Sequence, residues 1–204
     1  MTFYDFTTLT IAADAMATSV ATLEHSVPSM PGRLLGCWSS DVGALNRIMV
    51  LRGFESAEAV LQAREALAVS DKPFGIGSAL EAMESGTYKL FPFLPDIEPA
   101  QIGRCYELRM YSLKFGQLAP SFDAWQAALP ERTKLSHFVG AMYALDGTLP
   151  RFLNIWAYES ADARARVRAE AVAMKIWPPK GGPQAVTPQM TSTLAVPAGF
   201  SPLR

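Results

Sequence analysis

Histidine and cysteine are scarce in this chain: two of each among 204 residues. His25, His137, Cys37 and Cys105 do not combine with carboxylates at the spacing of a metal or redox motif, so no metal is expected. Both cysteines read as small buried apolar residues, with a reactive thiol or a disulfide as the alternatives. An excess charge of one sign is missing too. Eighteen Lys and Arg face nineteen Asp and Glu, and without a basic face no nucleic-acid partner is expected. No apolar run approaches the roughly 20 residues a bilayer-spanning helix needs, so no membrane association is expected. The opening MTFYDFTTLT lacks the basic and apolar regions of a signal peptide, and it is not an Arg-rich amphipathic presequence. Cytoplasmic location is the resulting expectation. SALEAMESG has serines but no nucleophile elbow. Gly75-Ile76-Gly77 lacks the third glycine and the strand context of a dinucleotide loop. What remains is an ordinary globular composition, half of it apolar and long enough for one or two domains.

What the chain has instead is a repeat. GALNRIMVLRGFES, from Gly43 to Ser56, returns as GTLPRFLNIWAYES, from Gly147 to Ser160. Gly43, Leu45, Arg47, Glu55 and Ser56 match Gly147, Leu149, Arg151, Glu159 and Ser160. A second period agrees. Met16, Val20, Leu23 and Val27 form one apolar stripe of a helix, and Leu118, Phe122, Trp125 and Leu129 repeat its offsets. Pro28 and Pro130 follow at once, and proline is expected to end each helix.

Each copy reads as strand, helix, strand, strand, helix, strand. In the second copy, strands are expected over 106–112, 138–143, 151–158 and 191–196, with the first helix over 116–129. The last strand of the first copy is expected over 87–93. Pro120, near the end of the first helical turn, argues for a later helix start. Asp146-Gly147 suits a hairpin turn. Ser56 with Glu58, and Ser160 with Asp162, are helix starts: a capping hydroxyl followed by an acid in the first turn. WPPKGGPQAVTP reads as a stiff surface loop. The proline- and acid-rich LPDIEPAQ separates the copies, giving repeat one over 1–94, a linker over 95–103 and repeat two over 104–204. The order βαββαβ is the ferredoxin-like arrangement. Its sheet carries helices on one face only, and a second copy is the natural cover for the other. The expected fold is therefore α+β, with two tandem ferredoxin-like units joined as a pseudo-dimeric barrel and the helices outside.

CYELRMYSLKFGQL, VGAMYALDGTLPRFLNIWAYES, IWPPKGGP and FSPL together resemble the NIPSNAP family. The resemblance is strong over 105–203. It is weaker over 3–94, which keeps the order of elements and the GALNR…FES block but not the WPP segment. It implies a tandem NIPSNAP-like protein of the dimeric α+β barrel type, with both halves of the barrel in one chain. Related barrels include cofactor-free monooxygenases, cyclases, isomerases and haem enzymes, so the fold narrows function very little. One departure stands out. The family usually has a His-Leu-Trp run in the third strand, and this chain has Asn154-Ile155-Trp156 and, in copy one, Val50-Leu51-Arg52.

Strand alternation sorts the candidate site residues. Glu107, Arg109 and Tyr111 share one face of the first strand of copy two, and Phe152, Asn154, Trp156 and Tyr158 share one face of the third. Both sets are expected to point into the barrel, and Tyr106, Leu108 and Met110 to meet the helices. The result would be an aromatic pocket with a few convergent polar groups, the usual form of a small-molecule site. The matching positions of copy one are plainer, although Asp5 and Arg52 keep charge. The candidate roles are Arg109 for a carboxylate or enolate oxygen, Glu107 or His137 for proton transfer, and Asn154 for ligand orientation. Tyr111, Trp156 and Tyr158 would be the walls. The same residues admit plainer readings: a Glu107–Arg109 structural ion pair, a Trp156–Tyr158 core, a surface His137, and His25 completing a helix C-terminus. Arg164, Arg166 and Arg168 read as a solvated helix face.

The leading expectation is a barrel that binds a small, partly apolar organic molecule and, if catalytic, works without a cofactor by rearrangement, cyclisation or oxygenation. A protein-interaction module with a filled barrel is the alternative, and a haem barrel a weaker one. Exposed sheet edges would favour a further homodimer or higher assembly.

Overall fold

The repeat in the sequence is a repeat of structure. The computed structural model describes residues Met1–Arg204. Copy one comprises β1 (Phe3–Ile11), α1 (Met16–Ser26), β2 (Arg33–Val42), β3 (Arg47–Phe54), α2 (Ala57–Ala68) and β4 (Leu80–Leu90). Copy two comprises β5 (Cys105–Leu113), α3 (Leu118–Arg132), β6 (His137–Ala144), β7 (Arg151–Tyr158), α4 (Ala161–Ala173), the short α5 (Gly182–Ala185) and β8 (Val186–Pro197). All eight strands form one closed barrel in the order β1-β3-β2-β8-β5-β7-β6-β4. Each copy has the ferredoxin-like order of last, first, third and second strand. The two seams are antiparallel: β2 pairs with β8, and β4 with β6. The last strand of each copy thus seals against the second strand of the other, as the α+β pseudo-dimer expectation requires.

Local chemistry accounts for the elements. Ser56 Oγ accepts from Ala59 N at 3.1 Å, and Ser160 Oγ from Ala163 N at 3.1 Å, so the repeated serine is a repeated N-cap. Gly43 and Gly147 both sit at positive φ, 122° and 70°, where a side chain would strain the turn. That explains why glycine stands in both copies. Helix α3 begins two residues later than the sequence suggested. Pro120 then lies in the first turn, where its missing N–H costs no intrahelical bond. Pro130 does not end α3, contrary to expectation. It falls in the last turn, and the bond from Thr133 N to Leu129 O (2.8 Å) still closes behind it. Strands β4 and β8 start earlier than expected because their first halves are polar and largely exposed, without an apolar alternation to reveal them. The WPPKGGP stretch is more than a loop: the Trp177 ring packs 4.9 Å from that of Trp125 and 5.4 Å from that of Trp156.

The barrel interior corrects one expectation directly. Its core holds Tyr4, Phe6, Trp38, Leu51, Tyr88, Tyr106, Leu108 and Ile155, drawn from both copies, with Ile97 of the linker and Leu203 closing around it. Tyr106, Leu108 and Met110 therefore point inward. Glu107, Arg109, Tyr111, Asn154, Trp156 and Tyr158 point outward beneath α3 and α4, the reverse of the predicted assignment. Alternation defines two faces without saying which is inner, and here both are covered. The helix side takes the buried carboxylates because helices can supply guanidinium partners, whereas the middle of the interior is an apolar and aromatic cluster, with Arg151 reaching the Tyr88 ring at 6.0 Å. Closure also leaves no strand without two neighbours, which removes the open edges on which the argument for further pairing rested.

Replacing Ser56 or Ser160 by alanine is expected to cost about 1 kcal/mol each. The two effects should add, since the sites are far apart. The check is a lower urea midpoint at unchanged slope for each variant.

Candidate functional site

Copy two buries one carboxylate under a group of guanidinium ions. Glu107 has no exposure. Its Oε1 accepts from Arg164 Nη2 at 2.6 Å and from Ser192 Oγ at 2.9 Å, and also from Arg109 Nη1. Arg168 Nη1 lies 3.6 Å from Oε2. Arg109 is held on its other side by the Tyr111 hydroxyl. Burial alone would push the Glu107 carboxyl up, but the bond from Arg164 and the charges of Arg109 and Arg168 outweigh it and hold it at about 2. A carboxylate held so low is a weak base near neutrality, and an arginine engaged in this way is not free for a ligand oxygen. The geometry therefore gives Glu107 and Arg109 an ion-pair role, in place of the proton-transfer and ligand-anchoring roles expected of them. Arg164 and Arg168 are not on a solvated face. They stand one turn apart on the side of α4 that meets the sheet.

Asn154 has its partners within the protein. Its Nδ2 donates to the Arg109 carbonyl at 3.1 Å, and its Oδ1 accepts from Trp156 Nε1 at 3.0 Å. Trp156 is 3% exposed and packs against Phe138 at 4.6 Å between ring centres. The Trp156 ring also lies 4.2 Å from the guanidinium of Arg132, which donates to Tyr158 Oη at 3.1 Å. Arg132 was missed in the sequence because it follows the proline at which α3 was expected to stop.

Copy one repeats the theme with different residues. Asp5 is fully buried, and its Oδ2 accepts from Arg52 Nη2 at 2.9 Å and from Thr7 Oγ1 at 2.9 Å. Its Oδ1 accepts from Arg64 Nε at 2.9 Å. Arg64 lies eight residues beyond the cap Ser56, as Arg168 does beyond Ser160, so the guanidinium over the buried carboxylate belongs to the repeat. Arg64 also reaches across the seam to Asp146 Oδ2 at 2.8 Å. Asp146, expected only as a turn residue, accepts from Thr87 N and Thr87 Oγ1 as well. Arg52 is closed in by Asp5 and by the rings of Phe54 and Phe74, both 5.4 Å away.

Open space lies elsewhere. A cavity of 1200 Å³ is bounded by the segment before β5, the α3–β6 turn, the end of β7, α4, and the end of β8 with the segment after it, with Tyr158, His137, Ser136, Val167 and Gly199 in its wall. A smaller one of 270 Å³ lies between the linker and the start of β6, and His137 borders both. Of the predicted site residues, the structure brings Tyr158 and His137 together at the larger cavity. Glu107, Arg109, Tyr111, Asn154 and Trp156 gather in the adjoining polar and aromatic layer, while Asp5 and Arg52 lie apart in copy one. No three His, Cys, Asp or Glu side chains converge as metal ligands would. No helix is long and apolar enough to cross a membrane.

The NIPSNAP family model matches residues 4–95 and again 106–202. The chain belongs to the NIPSNAP family. Among curated NIPSNAP relatives, the NipSnap homolog of Dictyostelium discoideum is 27% identical over 147 residues, covering 70% of this chain and 65% of that protein. NipSnap homolog 2 of Danio rerio is 23% identical over 204 residues, covering 95% of this chain and 70% of its own. The chain thus spans just under two thirds of the Dictyostelium relative. A candidate monooxygenase from Lactobacillus acidophilus superposes with a TM-score of 0.68 at 13% identity, over 97% of this chain and 95% of its own. At that identity the likeness speaks for the barrel and not for its chemistry.

The depressed Glu107 pKa has a definite sign. A carboxyl at about 2 in the folded protein, against an ordinary 4.5, contributes stability that is present above pH 4.5 and is lost as pH falls toward 2. In acid titrations followed by circular dichroism, Glu107→Gln is expected to be less stable than the parent at neutral pH. The gap should narrow through that window.

Proposed function

We propose that this NIPSNAP protein is a small-molecule-binding barrel whose ligand occupies the 1200 Å³ cavity at the copy-two end of the sheet. The observation that carries this reading is the cavity itself. It is large enough for a mid-sized organic molecule, and its wall sets apolar residues such as Val167, Val196 and Leu135 beside a comparable number of polar and charged ones. The barrel interior is the poorer candidate, being filled by its own aromatic and aliphatic side chains. Any chemistry would be cofactor-independent acid–base work. His137 is the proton-transfer group at the wall, because Glu107 is already neutralised by its arginines. Rearrangement, cyclisation and oxygenation all remain within reach of such a site.

A second reading, an interaction module without chemistry, draws support from that filled interior and from Phe115, which is 87% exposed between β5 and α3.

Gly199 separates the two. Gly199 is in the cavity wall and a Cβ built there meets no heavy atom within 4 Å, so Gly199→Trp is expected to extend into the cavity while the barrel stays folded. Native and denaturing mass spectra of the purified protein are expected to differ by a bound small molecule in the parent and to coincide in Gly199→Trp. Coincident spectra in the parent, together with unchanged protein partners in the variant, would move the assignment to the interaction module.

A further inference from the structure

Two arginines are fully buried, and they are treated differently. Arg52 is paired with Asp5. Arg132, 2% exposed, has no carboxylate within salt-bridge distance. A buried cation without an anion is costly, and natural structures usually supply a partner. What Arg132 has instead is a pair of hydroxyls. Nη1 donates to Ser136 Oγ at 2.7 Å and Nη2 to Tyr158 Oη at 3.1 Å, while Nε has no partner. The guanidinium carbon lies over the rings of Trp156 at 4.2 Å and Trp177 at 5.8 Å.

The two hydroxyls are the informative part. Each accepts from Arg132, so each keeps its own proton to donate, and neither donates to a protein atom. Both line the large cavity. Ser136, half-buried, and Tyr158, 4% exposed, thus belong to the wall of the same space, and each hydroxyl is polarised by the cation behind it. The wall around them adds Arg104, Lys134 and Arg204 beside the side-chain carboxylate of Glu159, although Lys134 also reaches Glu131 at the surface and Arg204 donates to the Gly199 and Ser201 carbonyls. The neighbouring Glu107 is bonded by Arg109 and Arg164 and faced by Arg168, and it acts on Arg132 through its charge alone, with no direct contact.

We propose that Ser136 and Tyr158, backed by Arg132, form a subsite for the anionic head of an amphipathic small molecule, a carboxylate or a phosphate monoester. The apolar tail lies along Val167, Leu135 and Val196. This rests on the reading that the cavity holds a ligand, and it specifies the class of that ligand. Charge-assisted hydrogen bonds from two donors with a fixed cation behind them distinguish an anion from a neutral alcohol of the same length.

The test is calorimetric titration of the full chain with sodium octanoate, octyl phosphate and 1-octanol. At least one anion is expected to bind roughly tenfold or more tightly than the alcohol, and the better of the two identifies the head group. The Ser136→Ala, Tyr158→Phe double variant is expected to lose roughly 10- to 100-fold in affinity for that anion and none for 1-octanol. Ser136→Ala alone, at a half-buried position, serves if the double variant does not fold, and should lose about tenfold. Equal binding of all three probes, or anion binding that survives the variants, would overturn the anion subsite and leave the cavity reading standing. Failure of all three probes to bind would overturn both.

Discussion

Each four-stranded sheet of this chain has one face that its own helices leave bare, and that face is buried only because the other copy lies across it. The eight-stranded closure answers this need, and the remaining features follow from it. The inner face becomes a shared apolar core of Tyr4, Trp38, Tyr88, Tyr106 and their neighbours. The outer face of each sheet meets a helix pair. Carboxylates on that face, Asp5 and Glu107, must then be satisfied by groups that the helices deliver. An arginine eight residues beyond a serine cap faces the carboxylate in both copies, and in copy two Arg164, four residues beyond the cap, makes the hydrogen bond. This spacing links a local sequence feature, the N-cap, to a long-range one, the buried ion pair.

The order and extent of most elements could be read from the sequence, because caps, hairpin turns and apolar stripes are local. Strand β7 was located to the residue, and the repeat predicted a pairing of copies before any contact was known. The orientation of the strands could not be read in the same way. A strand covered on both faces carries no polar side to mark the solvent, and the polar residues of β5 were easily taken for a cavity lining. Their partners, Arg164 and Arg168, stand on a helix whose sequence alone reads as ordinary surface charge, because the contact to Glu107 is long-range. Arg132 was hidden for another reason. It comes after a proline that stops most helices but here falls where only one bond remains to be lost. Tyr158, expected as a wall, and His137, expected for proton transfer, are the two of the candidates that border open space.

The copies have diverged in a specific way. At one position of the third strand, copy one has Arg52, closed in by its own carboxylate and two phenylalanine rings. Copy two has Trp156 there, and brings its buried cation from the end of α3 instead, turned toward the cavity side of the sheet. The first arrangement is electrically complete. The second is not, and it is the half that retains space beside it. The two repeats of this NIPSNAP chain therefore differ in how their buried cations are balanced and in the space beside them.

The linker between β4 and β5 has a consequence beyond connection. When two identical subunits make such a barrel, symmetry obliges any change in one half to appear in the other. Here the halves are joined covalently, and Arg64 and Asp146 hold them across the seam. Closure is therefore an intramolecular event, driven by an effective local concentration that dilution does not alter. The barrel is free to be lopsided, and it can stay assembled at abundances where two separate chains would drift apart.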